Sequence, residues 1–126
     1  MKLIELINMQ TPIQQILDQK IPFGLAYKFT TIARAIDVNS KFYTENLQKL
    51  LTEYAQVDEN GQFKHTKDGS GILIKPELLD EFNSKITELQ EIEITDSIPT
   101  FKLADLEDKV EISPRDLYAL MELIEE

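Results

Sequence analysis

The chain has 126 residues, 42% of them hydrophobic and 29% charged, with a formal net charge of -10 and no cysteine. That balance argues against disorder, and the length suits one modest core. The missing cysteine excludes disulfides, thiol nucleophiles and thiolate metal sites.

The negative charge is unevenly placed. Residues 1–76 hold nine Lys/Arg against eight Asp/Glu, a net of +1, and residues 77–126 hold four against fifteen, a net of -11. An acidic second half repels phosphate backbones, so direct nucleic-acid binding is not expected. It could instead dock on a basic protein surface. The first residues lack the apolar stretch of a signal peptide. No apolar run approaches the roughly 20 residues of a membrane span. A cytoplasmic protein without membrane attachment is the expectation.

In chain order, residues 2–9 read as a short strand through Leu3, Ile4, Leu6, Ile7 and Met9. Thr11-Pro12 then marks a helix start, with Ile13, Ile16 and Leu17 on one face. The strongest pattern follows over residues 25–57. Leu25, Phe29, Ile32, Ile36, Tyr43, Leu47, Leu50, Tyr54 and Val57 recur mostly at steps of three and four, as on one helix. The stripe slips by one position at Leu47, and Asn39 and Ser40 fill places where large apolar residues belong. A polar residue in a helix seam can fix register or oligomeric state. At 1.5 Å per residue the rod is about 50 Å long.

Asp58-Glu59-Asn60-Gly61 ends the rod in a turn. Residues 62–66 and 71–75 read as two short strands of a hairpin or as an ordered loop. Pro76 opens a second helix to about Gln90, with Leu78, Leu79, Phe82, Ile86 and Leu89 on one face. Antiparallel packing of this helix on the rod makes a helical hairpin. Residues 91–95 alternate as a strand that could pair with residues 2–9. Residues 99–103 read as extended, and 103–108 as one helical turn. Ser113-Pro114-Arg115-Asp116 is a capped helix start, and the last helix is expected to reach the terminus with Leu117, Leu120, Met121 and Ile124 on one face. The expected fold is α+β and mostly α, one domain over residues 1–126. A long helical hairpin arm (25–90) stands on a small strand-containing base (1–24 and 91–126), which includes the C-terminal helix.

No chemical motif organises the polar residues. His65 is the single histidine and lies between turn signals, with no nucleophile elbow in the chain. An EF-hand loop counted from Asp58 fails at its sixth and twelfth positions, Phe63 and Gly69. The carboxylates follow no metal-binding spacing, and Gly69-Ser70-Gly71 is too short for a phosphate loop. No catalytic residue, cofactor or metal is expected.

Three segments resemble a group of small tailed-phage and prophage proteins of unknown function. They are residues 20–29, beginning Lys20-Ile21-Pro22-Phe23-Gly24; Leu50-Leu51-Thr52-Glu53-Tyr54-Ala55 with the turn at Asp58-Glu59-Asn60-Gly61; and residues 112–120 around Ser113-Pro114. The resemblance implies a phage origin and a helical hairpin on a small base. It carries no activity and no catalytic residues.

The leading reading is a non-catalytic phage protein–protein interaction module, either a minor virion component or an assembly factor. It acts in the host cytoplasm or the virion and self-associates through the long helix. Its candidate seam is Ile32, Ile36, Tyr43, Leu47 and Tyr54, whose other role is intramolecular core. One alternative is an acidic inhibitor of a host nucleic-acid-binding or defence protein, acting through Glu88, Glu91, Glu93 and Asp96. The other is a small-ligand binding protein.

Overall fold

The computed structural model describes residues 1–125 and is α+β, mostly α. Its helices are α1 (Leu3–Ile7), α2 (Gln10–Leu17), α3 (Phe23–Tyr54), α4 (Leu79–Gln90), α5 (Leu103–Leu106) and α6 (Pro114–Ala119). Two short strands, β1 (Phe101–Lys102) and β2 (Ile124–Glu125), pair in parallel. The chain forms two compact units. One joins Met1–Lys41 to the chain from Glu93 onward, and the other is Phe42–Ile92.

In the first unit the expected N-terminal strand is a helix. Leu3, Leu6, Met9, Ile13 and Ile16 follow one another at steps of three or four, and all five are buried. That period belongs to a helix, and a strand would have turned half of them to solvent. Glu5 reinforces the start of α1 by accepting the Lys2 backbone N–H at 3.0 Å. With residues 3–7 helical, the expected strand at 91–95 has nothing to extend along. It is reduced to a bridge between Lys2 and Glu93, beside the Ile94 N–H donating to the Met1 carbonyl at 3.0 Å.

Phe29, Ile32 and Ile36 line the inner face of α3 within this unit. They join Leu6, Met9, Ile13 and Ile16 with Phe101, Leu106, Leu120 and Leu123 in one buried cluster. The Phe29 and Phe101 rings stack with centroids 4.5 Å apart. The Lys28 ammonium lies 5.1 Å from the Phe101 ring centre and donates to the Thr100 carbonyl at 2.9 Å.

The C-terminal helix is shorter than expected. Ser113 caps α6 by accepting the Asp116 N–H at 3.2 Å, as its motif predicts. The helix nevertheless stops at Ala119. Leu120 (φ -98°, ψ 6°) leads into a single 3-10 turn at Met121–Leu123, and the chain then extends into β2. Pairing Phe101 with Ile124 and Lys102 with Glu125, plus a hydrogen bond from the Thr100 hydroxyl to the Glu125 carboxylate, replaces the final helical turns. The expected single face splits accordingly: Leu120 is buried and Met121 is exposed.

The second unit contains the end of α3, α4 and a ribbon between them. The helices run antiparallel. Tyr43 meets Gln90 at one end, with the Gln90 amide 3.4 Å from the Tyr43 hydroxyl. Tyr54 meets Phe82 at the other, edge to face with centroids 5.9 Å apart. The expected hairpin at 62–66 and 71–75 takes in a third segment from the end of α3. Gln56 N–H donates to the Leu73 carbonyl at 2.9 Å, Leu73 N–H to the Lys64 carbonyl at 2.8 Å, and Lys64 N–H to the Gln56 carbonyl at 2.9 Å. Three segments thus close a ring, each paired with both others. Gly61 (φ 80°) and Gly69 (φ 74°) make the turns, using backbone angles that L side chains seldom adopt.

Candidate interaction surface

The five seam residues do not share one exposed stripe. Ile32 and Ile36 are wholly buried in the first unit. Tyr43 and Leu47 are half-buried and Tyr54 is buried; Tyr43 meets Gln90 and Tyr54 meets Phe82 of α4, and Leu47 lies between them at steps of four and seven. Burial pushes the Tyr54 phenol pKa up. Glu81 adds to this, first by its hydrogen bond with the phenol and then by repelling the anion. Ile32, Ile36, Tyr43 and Tyr54 therefore serve intramolecular packing.

The four acidic residues are divided between the units. In the second, Glu88 is exposed and 3.7 Å from the Lys85 ammonium, and Glu91 is exposed. In the first, Glu93 pairs with the Met1 amine at 3.1 Å, and Asp96 accepts the Asn39 amide at 2.9 Å. That same Asn39 amide donates to the Ala35 carbonyl at 2.7 Å, so this polar break in the stripe is satisfied within its own chain. Ser40 Oγ is buried without a hydrogen-bond partner.

His65 is exposed on the ribbon, bridged to Ile72, and borders an open cleft with Asp58, Phe63 and Leu73. Among the described residues no group of three or more His, Cys, Asp or Glu is placed to hold a metal ion. None of the described helices is long and apolar enough to cross a membrane.

The second unit carries an apolar groove between α3 and α4. One row, Phe42, Asn46, Lys49, Leu50 and Glu53, follows steps that keep it on a single face of α3. The opposite row is Lys85, Glu88, Leu89 and Ile92. Leu50 and Leu89 form the floor. Phe42 and Ile92 remain 45% and 40% exposed at the Tyr43–Gln90 end, and Lys49, Glu53, Lys85 and Glu88 make the rims. The groove encloses about 250 Å³.

This surface lies outside the five seam residues, although the sequence carries a signal for it. The one-position slip at Leu47 marks two stripes side by side on α3. One, Tyr43–Leu47–Tyr54 in sequence, meets α4; the other, through Phe42 and Leu50, opens to solvent.

Comparison with known proteins finds no matching family model, no matching curated protein and no matching solved structure.

Proposed function

We propose that the chain is a non-catalytic protein–protein interaction module. The observation that supports this is the α3–α4 groove. A long amphipathic hairpin buries one stripe of α3 and leaves a second, headed by Phe42 and Leu50, open beside Leu89 and Ile92. An apolar floor with charged rims is how helical surfaces receive another helix. The resemblance to tailed-phage proteins suggests a virion or its assembly as the setting, with the chain as a minor component or an assembly factor.

The test is a photo-crosslinking amino acid at Asn46, inside the groove, with the same group at Asn60 in the exposed turn as control. A discrete protein adduct at Asn46 and none at Asn60 supports the module. Equal yields at both positions, or none at Asn46 in infected cells and in purified virions, would sink it.

A further inference from the structure

The groove's rims carry a sign pattern that points to a particular occupant. On α3 the order is Lys49 then Glu53, and on α4 it is Lys85 then Glu88. The lining therefore has two positive and two negative side chains and no net charge, within a chain of -10. A strongly acidic or basic partner would find no excess charge to read here. A surface that pairs with itself across a two-fold axis has a different requirement: each charge must meet its opposite when the surface is turned round.

This surface meets it. A two-fold axis perpendicular to the helices sets α3 antiparallel to α3 of a second copy and α4 antiparallel to α4. Lys49 then faces Glu53 of the other copy, and Glu53 faces its Lys49. Lys85 and Glu88 exchange in the same manner. The two crossings must also lie at one level along the hairpin. The α3 midpoint falls at residue 51, and the α4 midpoint falls between residues 86 and 87. Taking Tyr43–Gln90 and Tyr54–Phe82 as rungs, the two midpoints differ by about 4 Å at 1.5 Å per residue. Lysine and glutamate side chains span that offset.

We infer that the groove is the self-association surface of the protein: a second copy docks its own α3–α4 face there, closing a four-helix bundle with Leu50 and Leu89 next to the two-fold axis. Two-helix layers bury their open faces in this way. The inference rests on the interaction-module reading and names its partner. The face is short, limited by the 12 residues of α4, and falls on the small side of stable interfaces, so association is expected in the micromolar range or weaker.

The test is sedimentation equilibrium of the full chain from about 10 µM to about 1 mM. The expected result is a mass rising toward twice that of the chain. Leu50→Lys should raise the dissociation constant at least about tenfold by putting ammonium groups in the floor. Lys49→Glu, a change at an exposed rim position, should raise it about three- to tenfold by opposing like charges. The double variant Lys49→Glu with Glu53→Lys should return it to within about twofold, since the pairs are re-formed with signs exchanged. A dimer indifferent to Leu50→Lys overturns the inference, as does a double variant no better than the single. A monomer throughout, with a crosslink from Asn46 to a different protein, overturns self-association and leaves the module reading standing. A monomer with no such crosslink removes both.

Discussion

The two units are stabilised by different means. The first has a continuous core in which Phe29, Ile32 and Ile36 of α3 meet residues from both ends of the chain. In the second, the buried hydrophobic residues among those described are Tyr54, Ala55 and Leu89. Its order comes from two helices in contact and from backbone hydrogen bonds joining Gln56, Lys64 and Leu73. Hydrophobic burial scales with area removed from water, whereas each backbone hydrogen bond contributes about 1 kcal/mol net. The first unit should therefore be the more resistant to opening, and the second should gain more from a protein that covers it.

The strongest way to break that contrast is Phe29→Ala. It removes a fully buried ring stacked on Phe101 and is expected to cost about 3–5 kcal/mol. The check is denaturant unfolding, with hydrogen exchange locating the loss in α1, α2 and the strand pair. Next is Tyr54→Leu, which keeps an apolar side chain but deletes the edge contact with Phe82. A loss of about 1–2 kcal/mol is expected. Faster amide exchange should be confined to residues 54–75 and α4. Equal acceleration throughout the chain would mean that the units do not open separately.

Ser113→Ala removes the α6 cap and should cost about 1 kcal/mol, read as frayed exchange at Asp116. The smallest effect concerns the ribbon turn. Asp68 is held down to about 2 from its ordinary 3.8 by the Thr66 hydroxyl, then by the Ser70 backbone N–H and hydroxyl. A depressed carboxylate contributes stability above its unfolded pKa and loses it as pH falls through the folded one. The turn should therefore loosen between about pH 4 and pH 2. Ser70 amide exchange reports this, and Asp68→Asn should abolish the dependence in that window.

Much of this arrangement is legible in the sequence. The long stripe of α3, Pro76 before α4 and the Ser113-Pro114 cap each depend on neighbouring residues and mark helices plainly. Leu3-Ile4 and Leu6-Ile7 are apolar doublets that fit either period, strand or helix; Met9, Ile13 and Ile16 resolve the ambiguity only when read together. The end of α6 was hidden because β2 is defined by a partner at Phe101, which local sequence does not reveal. The open groove was missed for a related reason. One helix presents two adjacent apolar rows, and periodicity alone does not say which row finds a partner within the chain.

The first unit's assembly also sets an order of events during synthesis. Phe29, Ile32 and Ile36 leave the ribosome early, yet Phe101, Leu120 and Leu123, which enclose them, emerge near the end of the described chain. Over that interval the second unit, contiguous from Phe42 to Ile92, emerges whole. Until then the α3 face has only Leu6, Met9, Ile13 and Ile16 to cover it, and it is in this period that chaperones and premature association have access to it.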